Sequence, residues 1–217
     1  MIEIIPTIVP DSFASVCEVS AKYAPSTSFF QIDVADGKFA PNTTWAASIG
    51  DVLPKEFSYE VHMMVANPRE VGLAFAKAGA HTLIGHVEAF GSAESAQKIF
   101  NEWKSAGVKS VAVAALLQTP LETLEPYVPL VDFVLFMTIA KIGVQGFPFK
   151  QSSIARIAAF RSAHPETIIA VDGGVSEKNI AALARAGASR FGVGSAISKA
   201  PDPAEAYKKL IHLGESA

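Results

Sequence analysis

Three side chains that can do acid–base or metal chemistry each end a short apolar segment: Asp33, His62 and Asp172. A charged group in such a segment is costly to bury without a partner, so these residues are expected to face one another. Two carboxylates can transfer protons on both faces of one carbon, and a nearby divalent metal would keep both ionisable. Taken singly, Asp172 could simply end a strand in a turn, and His62 could be an ordinary interior histidine. Their coincidence at three strand ends favours a functional site.

Two glycine-containing loops predict a phosphate site. Gly173-Gly174 directly follows Asp172, and Gly194-Ser195 follows the next apolar segment. Glycine lets backbone N–H groups come within hydrogen-bond distance of phosphate oxygens, and such loops, with the N-terminus of a short helix, form phosphate sites in barrels of parallel strands. The alternative is that both loops are tight turns without a ligand.

Short apolar segments alternate with helical patterns along the chain and would position these residues. The predicted strands are Ile2–Val9, a segment from Ser28 to the Asp36-Gly37 break, Phe57–Met64, His81–Val87, Lys109–Ala115, Val131–Met137, Thr167–Asp172 and Arg190–Val193. The predicted helices are Ser12–Tyr23, Trp45–Leu53, Asn67–Ala78, Ala93–Ala106, a short one at Thr119–Glu122, Ser152–Ala163, one capped by Ser176-Glu177 that ends at Ala186, and Pro203–Leu213. A long loop is expected over Thr138–Lys150.

This alternation predicts a parallel sheet covered by helices, in one domain over residues 1–217. An open doubly wound sheet is an alternative, but eight strand–helix units in a chain of this size fit a closed (β/α)8 TIM barrel better. In such a barrel the active site lies at the C-terminal ends of the strands. His86 also ends a predicted strand, and we favour a structural role for it, as a hydrogen-bonding support for its neighbours.

The composition excludes several classes of function. The 217 residues are 50% hydrophobic and 18% charged, with a net charge of -3 and no run of Lys or Arg, which argues against nucleic acid and anionic membranes as partners. No apolar run is long enough for a membrane span, and the N-terminus lacks a signal-peptide pattern. The single cysteine, Cys17, lies in a helical pattern and is expected to pack there. A soluble cytoplasmic protein is the expectation.

Several segments, in this order, resemble the ribulose-phosphate 3-epimerases over nearly the whole chain. They are Pro6–Val9, Ile32–Asn42, Val61–Val65, His86–Ala89, Val134–Thr138, Val171–Val175 and Val193–Ile197. The resemblance implies a barrel enzyme that interconverts ribulose 5-phosphate and xylulose 5-phosphate by C3 epimerisation, with a phosphorylated ketose as its partner. It also implies a divalent metal ion (Zn, Fe, Mn, Co or Mg) and a homo-oligomer, either a dimer or a hexamer.

The resemblance also assigns roles to individual residues. Asp33 and Asp172 match the acid/base pair, and both also match metal ligands of the family, as does His62. Thr7 stands where the family usually has a serine that contacts the substrate. The other residues matched to substrate binding are His62, Met64, Met137, Gly143, Gly173, Gly174, Gly194 and Ser195.

Three departures from the family pattern affect these assignments. Gln31 replaces the second histidine ligand, and an amide oxygen suits harder ions better than zinc or iron. Ala35 replaces a methionine of the apolar floor. The segment Lys141–Phe147 replaces a Pro-Gly-Phe-Gly-Gly-Gln lid that contacts phosphate, although its glycines still allow a mobile loop and Lys141 could add a charge.

Three hypotheses follow. The first is a metal-assisted epimerase, for ribulose 5-phosphate or for another ketose phosphate such as a hexulose 6-phosphate. The second is a phosphoketose lyase or decarboxylase that uses Mg and an Asp–Lys arrangement, but no lysine lies near the C-terminal end of a predicted strand. The third is a sugar-phosphate-binding paralogue with weakened catalysis, which Gln31 supports and the retained pair Asp33 and Asp172 opposes.

Overall fold

Eight parallel strands close into a barrel in which each strand pairs with its sequence neighbours and β8 pairs with β1. This computed structural model describes residues 2–48, 50–143 and 146–217. The strands are β1 Glu3–Ile8, β2 Phe29–Ala35, β3 Ser58–Met64, β4 Thr82–His86, β5 Ser110–Ala115, β6 Phe133–Met137, β7 Ile168–Asp172 and β8 Arg190–Val193. The closed (β/α)8 TIM barrel predicted from the sequence is confirmed.

Helices cover the outside of the barrel. They are α1 Phe13–Tyr23, α2 Pro68–Ala78, α3 Val87–Phe90, α4 Ala93–Ser105, α5 Ser152–Ala163, α6 Ile180–Arg185, α7 Ser195–Ser198 and α8 Pro203–Glu215. The connection from β5 to β6 contains two short 3-10 turns, Leu121–Thr123 and Val128–Leu130. In the part of the chain that the structure describes, no helix is both long and apolar enough to cross a membrane.

The helix boundaries follow local sequence chemistry at several ends. Ser12 caps α1 by accepting a hydrogen bond from Ser15 N at 3.2 Å, which satisfies a backbone donor of the first turn. In α2, Pro68 occupies the first turn and Gly79 follows the last, where its φ of 97° forms a left-handed cap. The predicted bounds of α5 and β8 are confirmed residue for residue.

The predicted helix at Trp45–Leu53 is wrong for the residues that the structure describes there; Ile49 lies outside them. The backbone of this segment bonds to other elements: Trp45 N donates to Pro10 O at 2.9 Å, and Leu53 N donates to Ala78 O at 2.8 Å. The Trp45 ring packs 5.6 Å from Phe75, centroid to centroid. These tertiary contacts hold the described residues of the segment outside a helix, against its local helical pattern.

The helix after β7 begins later than predicted, at Ile180, so Ser176-Glu177 is not its cap. Asn179 Oδ1 accepts a hydrogen bond from Ser176 N at 2.8 Å, and Asn179 Nδ2 donates to Gly174 O at 2.9 Å. The side chain of Asn179 therefore closes a turn between β7 and α6 that occupies residues 174–179. Another difference is α3, which takes Val87 out of the predicted fourth strand.

Buried side chains form two apolar regions, one on each side of the strands. The larger lies between the barrel and its helices, and the smaller fills the barrel interior, with Met64, Ile84, Leu135 and Met137 among its residues. At the N-terminal end of the barrel, buried Glu60 accepts a hydrogen bond from Arg190 Nη2 at 2.5 Å. The described interior residues therefore form a packed core, and in barrels of this kind ligands bind at the C-terminal end of the strands.

Candidate active site

The barrel brings Asp33, His62 and Asp172 together at the C-terminal ends of β2, β3 and β7. Asp33 pairs in register with His62, and strand alternation points both side chains into the barrel. Asp172 ends β7, and β8 is the one strand that separates β7 from β1 in the closed barrel. His62 Nδ1 lies 3.3 Å from both Asp33 Oδ1 and Asp172 Oδ2, so one imidazole contacts both carboxylates. All three residues are buried.

Gln31 lies beneath the two carboxylates and connects them. Its Nε2 atom donates to Asp33 Oδ1 and to Asp172 Oδ2, each at 2.7 Å. The side chain is fully buried, and its Oε1 atom has no hydrogen-bond partner among the described residues. A buried amide oxygen left without a donor costs free energy, so it is an acceptor available to a ligand.

Burial and the neighbouring charges shift the proton affinities of this cluster. Burial raises the pKa of Asp33, and the negative charge of Asp172 raises it further against hydrogen bonds from His62 and Gln31. Burial alone would lower the pKa of His62, but hydrogen bonds to Asp172 and Asp33 and the charges of both carboxylates outweigh it and raise the pKa to about 9. A carboxyl group and an imidazole with shifted pKa values in one buried cluster are typical of acid–base sites.

The residues between Asp172 and Gln31 on the barrel wall are small. Gly192 pairs with Asp172, and Thr7 pairs with Gln31. A Cβ atom on Gly192 would lie 3.1 Å from Gln31 Oε1 and 3.2 Å from Asp172 Cγ. The absence of a side chain at Gly192 therefore lets the β2 and β7 side chains meet across β1 and β8.

The donor set fits a divalent metal ion. One ligand atom from each of Asp33, His62 and Asp172 lies within 4.8 Å of the other two, the arrangement of a carboxylate–imidazole–carboxylate site. Rotation of the Gln31 amide by a half turn would exchange Nε2 for Oε1 and offer an oxygen as a further ligand. The unpartnered Oε1 atom is consistent with such a role.

A pocket opens above this cluster at the mouth of the barrel, with a cavity volume of about 40 Å³ and further space that is open to solvent. The residues predicted for substrate binding that line it are Thr7, Met64, Met137, Gly143, Gly173, Gly174, Gly194 and Ser195. Asp33 and Asp172 line it as well, whereas Gln31 and His62 lie beneath its surface and are fully buried.

The loop after β6 lies over one side of the pocket. Gly143 and Gly146 line the pocket, and the Lys141 amine lies 5.8 Å from the centre of the Phe147 ring. Val144 and Gln145, which the predicted long loop includes, lie outside the described residues. The described glycines therefore place this loop beside the glycine loops after β7 and β8.

Behind the cluster, a second histidine and a glutamate continue the polar network. His62 Nε2 lies 2.9 Å from His86 Nε2, and His86 Nδ1 lies 3.3 Å from Glu88 Oε2. Burial lowers the pKa of His86 to about 4, which leaves its ring neutral. Burial alone would raise the pKa of Glu88, but hydrogen bonds with His86 and Thr119 outweigh it and lower the pKa. This placement agrees with the support role predicted for His86.

Sequence reasoning noted Gly146 as a loop glycine that could contact phosphate but missed Gly192 and Glu88. Gly192 interrupts an apolar strand, a position where glycine often marks a close approach of other atoms, so the signal was present. Glu88 follows His86 by two residues, and an acid just beyond a strand-ending histidine is a possible orienting partner. Ile139, Val175 and Val9, which also line the pocket, carry no chemical signal in the sequence.

A sequence model of the ribulose-phosphate 3 epimerase family matches residues 3–198. The ribulose-phosphate 3-epimerase of Candida glabrata is 31% identical over 221 residues, which cover 93% of this chain and 88% of that protein. The chloroplastic ribulose-5-phosphate-3-epimerase of Arabidopsis thaliana is 33% identical over 212 residues, covering 94% of this chain and 74% of that one.

The fold is also similar to solved structures of other enzymes. The crystal structure of 3-keto-L-gulonate-6-phosphate decarboxylase from Vibrio cholerae matches with a TM-score of 0.69 and 10% identity, covering 100% of this chain and 99% of that chain. At this identity the likeness concerns the barrel fold alone.

Proposed function

Since the chain belongs to the ribulose-phosphate 3-epimerase family and is thus an isomerase acting on carbohydrates, we propose that it interconverts ribulose 5-phosphate and xylulose 5-phosphate at C3. One observation carries the proposal: Asp33 and Asp172, from opposite sides of the barrel mouth, converge on His62 Nδ1 at 3.3 Å beneath an open pocket. Epimerisation exchanges a proton on one face of a carbon for a proton on the other, which needs two such groups.

In the proposed reaction, one aspartate removes the C3 proton and the electron pair of the broken C–H bond forms an enediolate with the neighbouring carbonyl. The other aspartate, initially protonated, returns a proton to C3 from the opposite face. Burial and the charge of Asp172 raise the pKa of Asp33, so this group holds a proton more readily than a free carboxyl, which suits a residue that has to donate a proton as well as accept one. The two roles interchange when the other epimer is the substrate.

Asp33, His62 and Asp172 would hold a divalent metal ion, with Gln31 Oε1 as a further oxygen ligand. When bound, the ion would supply positive charge that stabilises negative charge developing on the enediolate oxygens. In the orientation shown by the structure, Gln31 Nε2 instead donates to both carboxylates and keeps them oriented toward the same point.

The glycine loops would bind the substrate's phosphate. Gly173-Gly174 and Gly194-Ser195 line one side of the pocket, and their backbone N–H groups are the donors available there to a phosphate group. Met64 and Met137 form apolar wall beside Asp33 and Asp172 and limit the access of water to C3. Thr7 offers a hydroxyl at the same mouth.

Incubation of the purified protein with ribulose 5-phosphate in D₂O tests this function. The proposal predicts xylulose 5-phosphate as product, with deuterium from solvent at C3, and much less turnover of a hexulose 6-phosphate. Product without solvent deuterium, or preferential turnover of the hexulose, would contradict the proposed mechanism or substrate respectively. Elemental analysis of the same preparation identifies the bound metal.

We further propose that the protein acts in the cytoplasm as a homo-oligomer, a dimer or a hexamer, as its resemblance to the family implies. Light scattering at micromolar concentration distinguishes these assemblies from a monomer.

A further inference from the structure

The pocket above Asp33 and Asp172 continues outward as a second, wider cleft between the loop after β6 and the segments that follow β7 and β8. The pocket and this outer cleft are both lined by Gly146, Gly174, Val175 and Ser195. The outer cleft has a cavity volume of about 600 Å³, much of it open to solvent, against about 40 Å³ in the pocket. A ligand of more than a few atoms that reaches the carboxylates therefore extends outward across the glycine loops.

Two lysines give the outer cleft a positive charge. Lys178 and Lys199 are exposed and line it, and none of the described residues that line it is acidic. Lys199 Nζ lies 4.0 Å from the position that a Cβ atom on Gly146 would take, and Gly146 lines both the pocket and the outer cleft. The amine of Lys199 therefore lies close to the point where the two meet.

The acids nearest to these lysines in sequence have other partners. Glu177 Oε2 contacts Lys209 Nζ at 2.5 Å, and the side chain of Asp202 caps the first turn of α8. Within the described part of the chain, no carboxylate lies within ion-pair distance of Lys178 or Lys199. The charges of both lysines are therefore available to an anionic ligand in the outer cleft.

A short helix holds Lys199 beside the glycine loop after β8. Lys199 N donates to Ser195 O at 3.2 Å, which joins the two ends of α7. The backbone N–H groups of the glycine loops are neutral donors, whereas a phosphate monoester carries roughly two negative charges near neutral pH. A lysine adds a compact positive charge and three N–H donors.

We propose that Lys199 binds the phosphate group of the substrate together with the glycine loops, and that Lys178 adds positive charge at the outer rim of the cleft. Lys199 thereby makes the protein select phosphorylated over unphosphorylated sugars. The identity of the sugar rests on the proposed function, whereas the binding of a phosphate anion by Lys199 does not.

The variant Lys199→Met removes the charge and keeps an unbranched side chain of similar length. Lys199→Arg keeps the charge and serves as the conservative variant. The matched control is Lys104→Met, which removes the same charge from an exposed position in the last turn of α4 and so reports any effect of net charge alone. Since Lys199 is exposed, all three variants should fold, which circular dichroism checks.

Titration of the full-length protein with inorganic phosphate, followed by ³¹P NMR, tests the proposal without a substrate. Lys199→Met should bind phosphate about tenfold more weakly than the wild type, because a hydrogen bond to a charged donor is lost. Lys199→Arg should keep most of the affinity, and Lys104→Met should match the wild type. Equal phosphate affinity in Lys199→Met and the wild type would overturn the proposal.

Kinetics with ribulose 5-phosphate give the second readout. Lys199→Met should raise KM by about tenfold and leave kcat within about twofold, because the phosphate lies away from the reacting carbon and is bound equally before and during the reaction. A fall in kcat with unchanged KM would contradict a role in phosphate binding. Absence of turnover in the wild type would instead reject the proposed function, and the phosphate titration would still decide the role of Lys199.

Discussion

Gln31 Nε2 lies 2.7 Å from Asp172 Oδ2, although 141 residues separate the two in sequence. The same nitrogen donates to Asp33 Oδ1 at 2.7 Å, so one neutral amide holds two carboxylates from β2 and β7. An amide can neutralise neither charge, and both carboxylates therefore depend on His62 or on a cation for compensation. The resemblance to the family implies a histidine ligand at this position, where this chain has Gln31.

The substitution Gln31→His should shift metal preference toward softer ions. An imidazole at this position adds a nitrogen ligand, and nitrogen favours Zn²⁺ over Mg²⁺. We expect the ratio of Zn²⁺ to Mg²⁺ affinity to rise by about tenfold or more, measured by competition with a chelator and by elemental analysis of the purified protein. The control is Gln118→His, which places a histidine on the exposed surface. An unchanged ratio in Gln31→His would mean that residue 31 is not a ligand.

Glu60 should make stability fall as pH rises. Burial raises the pKa of Glu60 to about 7 from its ordinary value of 4.5, despite the nearby charge of Arg190. The folded protein therefore holds this proton more tightly than the unfolded chain, and the stabilisation is complete below about pH 4.5 and lost as pH rises through about 7. The shift corresponds to at most about 3 kcal/mol.

Urea unfolding of Glu60→Gln and wild type at about pH 5 and about pH 8 measures this contribution. The wild type should lose stability relative to the variant between the two values. Glu3→Gln is the control, because Glu3 contacts the same Arg190 at 2.8 Å from a more exposed position and should leave most of the pH dependence in place. Parallel pH profiles for wild type and Glu60→Gln would contradict the buried, proton-binding role of Glu60.

Gly143→Ala should impair substrate binding more than stability. The φ of Gly143 is 86°, and a Cβ atom there would lie 2.0 Å from Asn42 Oδ1, so the loop beside the pocket has to move. Strain of roughly 1–3 kcal/mol would raise KM for the phosphorylated substrate by about tenfold. Gly79→Ala has a similar φ of 97° with no atom within 4 Å of the new Cβ, and should lower Tm without changing KM. Equal KM values in the two variants would show that this loop does not contribute to binding.

The strands and the chemical residues could be predicted from the sequence because both follow local patterns. Short apolar segments give all eight strands, and Asp33, His62 and Asp172 stand at their ends. Contacts between distant elements could not be predicted in the same way. Trp45 is held by contacts with Pro10 and Phe75, and neither contact has a signal in the segment itself.

The hydrogen-bond network of the site could not be predicted from local sequence patterns either. Whether Gln31 would bridge the carboxylates depended on the close approach of β2 and β7, which the small residue Gly192 permits. The position of Glu88 depends on α3, a helix of four residues without a side-chain cap, which the sequence did not predict. The sequence could therefore identify the clustered carboxyl and imidazole groups but not the side chains that contact them.

The two-aspartate mechanism is tested most directly by epimerisation in D₂O with Asp33→Asn and Asp172→Asn, each compared with Asp132→Asn. Asp132 accepts a hydrogen bond from Val111 N at 2.8 Å near the opposite end of the barrel and serves as the control. Each site variant should lose the formation of xylulose 5-phosphate deuterated at C3 by about 100-fold or more, with folding intact by circular dichroism, and Asp132→Asn should retain it. Deuterated product at the wild-type rate in either site variant would contradict the mechanism.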